Sequence, residues 1–187
     1  SIFIDGKYGF SLSLDELLAE KLKKDDEIDD ERLNKLKKLS EDGKRRMGAL
    51  EWVMGRPHSG REFRDYMYRK KADSQLTDNL IEEFTGKKYL DDKAYGSWLA
   101  DLRQRAGKSD RQIRSELYAK GLSREDVEIV MQGQEAGETE RLRALIAKKS
   151  KLIRYQNDPQ KLAKYLLSQG FSYSDIKSAL ALNRQED

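Results

Sequence analysis

Apolar residues recur four positions apart in three stretches of the chain, and these stretches follow one another at intervals of about 50 residues. Residues four apart lie on the same face of an α-helix, so each stretch predicts an amphipathic helix with one buried side. The stretches read SGREFRDYMYRKK from Ser59, SDRQIRSELYAKG from Ser109 and DPQKLAKYLLSQG from Asp158. The apolar pairs on their predicted buried sides are Phe63 and Met67, Ile113 and Leu117, and Leu162 and Leu166.

Signals for helix ends surround these stretches. Each stretch opens with a side chain that can accept hydrogen bonds from the free N–H groups of a helix start, namely Ser59, Ser109 and Asp158. The second and third copies end in Gly121 and Gly170, which suit a left-handed C-cap, and a further capped helix follows each. The first copy instead has Lys71-Ala72 and roughly four extra residues before its next helix. This difference predicts a longer and less tightly capped loop in the first copy.

A third amphipathic segment precedes each repeated helix, so the pattern predicts three modules of three helices. These preceding segments are KRRMGALEWVM, DDKAYGSWLADLRQR and ETERLRALIAKKSKLIRY. We assign the modules to residues 43–87, 88–135 and 136–187, and we expect them to stack because none buries enough apolar surface alone.

Residues 1–42 are predicted to form a separate N-terminal extension. The dipeptide Asp5-Gly6 favours a tight hairpin turn between two short strands, and Ser13 with Glu16 forms a capping box before a short helix. The predicted fold is therefore mainly α, with tandem three-helix repeats in an elongated array and a small N-terminal β-hairpin and helix element.

Composition agrees with small helical units. Of the 187 residues, 38% are charged, 37% are hydrophobic and only two are proline, which favours helix and argues against a β-sandwich or barrel. Cysteine is absent, so the sequence has no disulfide, thiolate metal site or cysteine nucleophile. No apolar run approaches the roughly 20 residues of a membrane-spanning helix, and we expect a cytoplasmic protein that does not bind membranes.

The net charge of +3 is unevenly distributed along the chain. Residues 1–42 contain 12 acidic and 8 basic side chains, whereas residues 43–187 contain 22 acidic and 29 basic ones. The repeats thus carry a net charge of +7 and are candidates for binding a polyanion, while the N-terminal extension is not.

Two of the repeated helices carry a basic and aromatic face opposite their apolar side. A helical wheel groups Arg61, Arg64, Tyr68 and Lys71 in the first copy, and Arg111, Arg114 and Tyr118 in the second. In the third copy the same positions are Gln160, Ala163 and Leu167, so this basic face is lost.

Guanidinium groups bind phosphates and carboxylates through paired hydrogen bonds, and a neighbouring tyrosine can stack or donate. The repeated face therefore predicts a site for an anionic partner, and Arg103, Arg105 and Lys108 are secondary candidates. A solvated basic helix face produces the same pattern, and the sequence leaves both interpretations open.

Residues for catalysis are not evident. His58 is the only histidine and has no partner that the sequence predicts, while Asp91 and Asp92 open a helix, where acidic residues favour the positive end of its dipole. Phosphate-binding loops, dinucleotide-binding loops and nucleophile elbows are absent from the sequence. We therefore expect no enzymatic activity, no metal and no cofactor.

Three segments, RPHSGREF, KYLDDKAYGSWLADLR and RQIRSELYAKGLS, resemble in order and spacing those of the RecX family, bacterial regulators of the RecA recombinase. The resemblance is strong from about residue 44 to 135 and weaker through residue 182. It departs from the usual family pattern at four places, which are His58, Phe63, Gly96 and Lys71-Ala72.

The resemblance implies tandem three-helix repeats that bind the RecA–DNA filament along its groove. It also implies lower RecA strand exchange, ATP hydrolysis and coprotease activity, without catalytic residues of the protein's own. Single-stranded DNA could be contacted directly or through the filament, and we expect a monomer. Two alternatives stay open: a helical-repeat protein that binds DNA without contacting RecA, and a scaffold with another partner.

Overall fold

A computed structural model describes residues 1–133, 137–156 and 158–183. The fold is mainly α with one small antiparallel sheet, which confirms the predicted fold class. The elements are β1 (Ile2–Ile4), β2 (Lys7–Phe10), α1 (Leu14–Ala19), α2 (Asp30–Met54), α3 (Gly60–Arg69), α4 (Ser74–Gly86), α5 (Asp92–Arg105), α6 (Asp110–Ala119), α7 (Arg124–Gln132), α8 (Glu138–Ser150), α9 (Ile153–Gln156), α10 (Pro159–Ser168) and α11 (Tyr173–Asn183).

The N-terminal extension forms the predicted hairpin and capped helix. Strands β1 and β2 pair antiparallel around Asp5 and Gly6, whose φ angles of 49° and 76° are those of a tight hairpin turn. Ser13 then caps α1: its hydroxyl accepts from the Glu16 backbone N–H at 3.2 Å, and the Glu16 carboxylate accepts from the Ser13 N–H at 2.7 Å.

The chain divides into two compact units, and the first comprises residues 1–56 and 62–90. Its core contains Phe63 and Met67 of α3, as the apolar spacing predicts, packed with Phe84 of α4. The rings of Phe63 and Phe84 meet edge to face with centroids 5.6 Å apart. Helix α2 runs without a break across residues 42 and 43, where the sequence places a module boundary, and that division into modules stays a prediction.

The loop after α3 corrects one prediction. Residues 70–73 separate α3 from α4 and residues 120–123 separate α6 from α7, so both loops have four residues. The extra residues of the first copy belong to α4, which begins at Ser74. Lys71 takes the left-handed conformation with φ of 55°, as Gly121 does with φ of 92°. The Ala72 N–H donates to the Met67 carbonyl at 3.1 Å, so the cap is as complete as that of the second copy.

The second unit comprises residues 57–61 and 91–187 and contains two apolar clusters. One lies among α5, α6 and α7, where Ile113 and Leu117 are buried, and the other lies among α8, α10 and α11, where Leu162 and Leu166 are buried. The two remaining apolar pairs of the repeated helices are therefore core residues, as predicted.

Two junctions of similar construction recur within the second unit. The Gly60 N–H donates to the Asp92 carboxylate at 2.8 Å, and the Asp110 N–H donates to the Glu138 carboxylate at 2.9 Å. In both cases the acid that begins a later helix, α5 or α8, satisfies a free N–H in the first turn of a repeated helix.

A loop also contacts each of these helix starts. The Ser59 hydroxyl donates to the Lys120 carbonyl at 3.1 Å, and the Ser109 N–H donates to the Gln169 carbonyl at 2.9 Å. These contacts fix the first turns of α3 and α6 against chain segments about 60 residues further on, and so position Arg61 and Arg111.

Over the described part of the chain, no helix combines the length and apolar character that a membrane crossing requires. His58 is buried, with only 3% of its surface exposed.

Candidate anion-binding surface

Helices α3 and α6 both present the predicted face on the side away from the core. On α3, Arg61, Arg64 and Tyr68 follow at spacings of three and four residues, opposite the buried Phe63 and Met67. On α6, the equivalent residues lie opposite the buried Ile113 and Leu117, and they are Arg111, Arg114 and Tyr118. The tyrosines are exposed, Tyr68 at 83% and Tyr118 at 42%.

The second arginine of each face has a carboxylate partner on the following helix. Arg64 Nη1 lies 2.5 Å from Oδ1 of Asp78 on α4, and Arg114 Nη1 lies 2.5 Å from Oε1 of Glu128 on α7. Each partner stands 14 residues after its arginine. Arg64 and Arg114 therefore join the repeated helix to the helix that follows it. The carboxylate partner neutralises part of the charge of each arginine, so less of that charge is available to another molecule.

The first arginine of each face is differently placed. Arg61 and Arg111 are both exposed, and in the part of the chain that the structure describes neither forms an ion pair or side-chain hydrogen bond. The aliphatic stem of Arg61 passes over Gly121, where an added Cβ would lie 2.9 Å from Arg61 Cβ. The stem is thereby held while the guanidinium stays available.

Lys71 is exposed at the left-handed position that ends α3. It follows Tyr68 by three residues and adds an unpaired cation to the face of the first copy, within the described residues. The residues that the structure leaves available on the two faces are Arg61, Tyr68, Lys71, Arg111 and Tyr118.

The secondary candidates differ from one another. Arg103 donates twice to the Glu116 carboxylate, at 2.7 Å from both Nε and Nη2, and this hydrogen bonding lowers the pKa of Glu116 and raises the pKa of Arg103. Arg103 therefore joins α5 to α6. Arg105 is exposed and pairs with Asp101 one turn earlier at 2.8 Å, whereas the half-buried Lys108 has no ion pair among the described residues.

The third copy lacks both members of the recurring ion pair. Ala163 replaces the arginine, and Lys177 of α11 stands where Asp78 and Glu128 stand in the other copies. Leu167 at the tyrosine position is 42% exposed. The basic face thus belongs to the first two copies, as the sequence predicts.

The carboxylate partners are residues that sequence reasoning missed. Asp78 and Glu128 are acids at the same offset from equivalent arginines, while a lysine occupies that place in the third copy. Comparing the helices that follow the repeated ones would have found this signal. Groups of three or more acids or histidines able to hold a metal ion are not found within the described ranges.

No protein-family model matches the sequence. The chain is 27% identical over 186 residues to a protein of Bacillus licheniformis named regulatory protein RecX, with 96% of this chain and 70% of the relative covered. It is also 27% identical over 187 residues to a protein of that name from Clostridium botulinum, with 96% and 87% covered. The Bacillus subtilis protein of the same name is 25% identical over 185 residues, with 96% and 70% covered.

Two crystal structures have the same fold. A structure described as regulatory protein RecX superposes with a TM-score of 0.71 and 21% identity, covering 96% of this chain and 92% of the other. That of RecX from Lactobacillus salivarius gives a TM-score of 0.62 and 20% identity over 75% of this chain and 95% of the other.

Proposed function

We propose, from the premise that this chain belongs to the RecX family of regulatory proteins, that it binds the RecA–DNA filament and mostly inhibits RecA. The activities lowered would be DNA strand exchange, ATP hydrolysis and coprotease activity, in DNA recombination, DNA repair and the SOS response. The protein would act by binding alone, without a catalytic step of its own.

The observation that carries this proposal is the pair of matched faces on α3 and α6. Each face has one arginine with no internal partner among the described residues, Arg61 or Arg111, and an exposed tyrosine seven residues later, Tyr68 or Tyr118. A helix face that contacts only solvent does not require an unpaired arginine and an exposed tyrosine at equivalent positions of two helices.

Repetition suits a filament, which offers the same surface many times. An arginine fork binds a carboxylate or phosphate through two parallel hydrogen bonds, and the tyrosine adds apolar contact area with a polar end. Two such contacts on one chain add as avidity, because the first raises the local concentration for the second.

The test removes the two available arginines together. We expect Arg61→Ala with Arg111→Ala to raise the concentration that half-inhibits RecA-dependent ATP hydrolysis on single-stranded DNA by about tenfold to a hundredfold, corresponding to roughly 1–3 kcal/mol of lost binding. The melting temperature should change little, because neither guanidinium has a partner in the described chain and the packing lost is that of the Arg61 stem on Gly121.

A matched control is Arg124→Ala with Arg143→Ala, which removes two exposed arginines outside both faces. It lowers the net charge equally and should leave inhibition within about twofold of the wild type, since charges outside a contact act weakly at physiological salt. Equal losses of inhibition in the two double variants would show that overall charge, and not these faces, is responsible.

The paired arginines should behave differently. Arg64→Ala or Arg114→Ala leaves Asp78 or Glu128 without its partner on the neighbouring helix. We expect a loss of about 0.5–1 kcal/mol in the free energy of unfolding, because these pairs are partly exposed. Urea denaturation measures this loss, and inhibition by the folded variants should fall less than in the Arg61 and Arg111 variant.

Direct DNA binding without RecA contact is the second candidate. The net charge of +7 on residues 43–187 favours it. The two candidates differ in how strongly binding depends on the salt concentration.

A further inference from the structure

The third copy lacks the basic face of α3 and α6 but is itself strongly basic. Residues 141–164 contain eight lysines and arginines and a single acid, Asp158. Arg141 pairs with Asp110, while Lys148 and Lys149 form no ion pair within the described residues. This positive charge lies on helices other than α3 and α6, so it is a candidate for binding a second, separate anion.

Part of it surrounds a cleft within the second unit. The cleft has a volume of about 260 Å³ and lies between the last turn of α5 and helix α8. Leu145 is part of its apolar wall, and no carboxylate is among the described residues that line it. Its polar lining consists of Gln104, Arg105, Arg141, Lys148, Lys149 and Tyr165.

Gln104 is the most informative of these side chains. Its amide nitrogen is buried and has no hydrogen-bond partner among the described residues, and Gln104 is one of the residues that line the cleft. A buried donor without a partner costs about 1–3 kcal/mol, and such a cost is removed when a ligand accepts the hydrogen bond. A turn of the Gln104 side chain towards the cleft would let this donor reach an acceptor beside Lys148 and Lys149.

The end of α5 does not oppose a negative ligand here. Helix C-termini usually repel anions because their last carbonyls are unsatisfied. In α5 the carbonyls of residues 102, 103 and 104 accept from the N–H groups of residues 106, 108 and 107, at 3.2, 3.0 and 2.9 Å. Because these three carbonyls already accept hydrogen bonds, this end of α5 repels an anion less than an uncapped helix end would.

The remaining members of the lining limit what can bind. Lys149 lies over the Tyr165 ring with Nζ 5.1 Å from its centroid, which fixes this ammonium at the wall of the cleft. Arg105 pairs with Asp101, so its charge is partly neutralised, and Lys148 is exposed at the rim. Two uncompensated ammonium groups with an amide donor suit one multiply charged oxyanion of phosphate size.

We propose that the cleft between α5 and α8 is a phosphate-binding site with Lys148, Lys149 and Gln104 as its principal ligands. The phosphate would belong either to a nucleic-acid backbone or to a free nucleotide or polyphosphate. This site is separate from the proposed RecA contact and is tested without RecA.

The first experiment titrates the full chain with pyrophosphate by isothermal titration calorimetry. Lys148→Gln should weaken binding about tenfold, as the loss of one charge-assisted contact does. Lys164→Gln removes an equal charge from an exposed position on α10 outside the cleft and should change binding less than about twofold. Absence of pyrophosphate binding, or equal weakening in both variants, would overturn the proposal.

Gln104→Leu separates a ligand role from a structural one. It removes the unsatisfied amide at similar volume, so binding of pyrophosphate should weaken about tenfold while the melting temperature does not fall. A lower melting temperature with unchanged binding would show that Gln104 is only a packing residue, and would overturn its place in the site.

The source of the phosphate is identified by competition. A 15-nucleotide oligothymidylate or ATP is added to the pyrophosphate complex of the wild type. Displacement by the oligonucleotide but not by ATP assigns the cleft to a nucleic-acid backbone, and the reverse assigns it to a free nucleotide. Either result supports a phosphate site. If neither the oligonucleotide nor ATP displaces pyrophosphate, the proposal is contradicted.

Discussion

Lys71 ends α3 in a backbone conformation that suits glycine. Its φ of 55° lies in the left-handed region, where the Cβ of an L-residue approaches the following carbonyl oxygen. The second and third copies place Gly121 and Gly170 at this position. The same hydrogen-bonded cap is therefore formed at a higher conformational cost in the first copy.

Replacing this lysine with glycine should stabilise the protein. We expect Lys71→Gly to raise the free energy of unfolding by about 0.5–1 kcal/mol. The substitution removes the left-handed strain from the folded state, and the greater flexibility of glycine in the unfolded chain offsets only part of that gain. Lys70→Gly is the matched control, since Lys70 does not have a positive φ and should instead lose about 0.5–1 kcal/mol. Urea denaturation of both variants distinguishes these opposite changes.

Single residues show where prediction from sequence succeeds and fails. Ser109 and Asp158 were predicted as caps and accept from the N–H groups three residues on, because a cap depends only on nearby chain. The prediction of a loose cap at Lys71 was wrong, because a residue that disfavours the left-handed conformation can still adopt it when its surroundings impose it. Residue type indicates the cost of a cap but does not decide whether the cap forms.

At the scale of helices, an ion pair joins α2 to α4 within the first unit. Arg46 Nε donates to Glu83 Oε2 at 3.1 Å and its Nη2 contacts the other carboxylate oxygen, while Lys87 Nζ lies 2.6 Å from Glu83 Oε1. The hydrogen bond from Arg46, followed by that from Lys87, lowers the pKa of Glu83 to about 2.

This pair makes stability depend on pH below neutrality. Unfolded Glu83 should titrate near its ordinary pKa of about 4.3, so the stabilisation is complete above that pH and is lost as the pH falls towards 2. We expect Glu83→Gln to cost about 1–2 kcal/mol at pH 7, a figure reduced for solvent screening, and almost nothing at pH 2.

Urea denaturation at several pH values measures this difference. Glu82→Gln serves as the control, because Glu82 is exposed and has no ion pair among the described residues. Its difference from the wild type should stay small across the same pH range. A gap between wild type and Glu83→Gln that does not narrow in acid would contradict the assignment.

Contacts between helices were harder to predict than the helices themselves. The periodicity that places Phe63 and Met67 in the core is a property of one segment, whereas the pairing of Arg64 with Asp78 depends on how α3 and α4 cross. The cleft at Gln104 likewise depends on α5 and α8, which are far apart in sequence. The basic face could therefore be predicted as a pattern, but its division into paired and available arginines could not.

At the scale of the whole molecule, the uneven charge of the chain separates the two candidate functions. Binding to single-stranded DNA weakens with salt, with log K falling by about 0.7 per log unit of salt for each phosphate contact. A filament regulator whose main partner is protein should bind free single strands with a slope shallower than about −3. Fluorescence anisotropy with a labelled oligonucleotide between 50 and 300 mM salt measures the slope.

The same titration is repeated with inhibition of RecA as its readout. If direct DNA binding is the function, the free-strand slope will be steeper than about −3 and inhibition will weaken in parallel with it. If the filament is the target, inhibition will persist at salt concentrations that already abolish binding to free strands. One phosphate held in the α5–α8 cleft is compatible with the shallow slope.

The contact between Arg61 and Gly121 has a consequence for how genetic variants of this protein should be interpreted. Any side chain at Gly121 would press on the stem of Arg61, so a change there can displace the guanidinium without touching a partner. A screen for lost regulation would then recover substitutions at Gly121 that resemble contact mutations. If the proposed contact is correct, suppressors of such alleles should map to residues that let the Arg61 stem shift, and not to Arg61 itself, because its guanidinium is still needed.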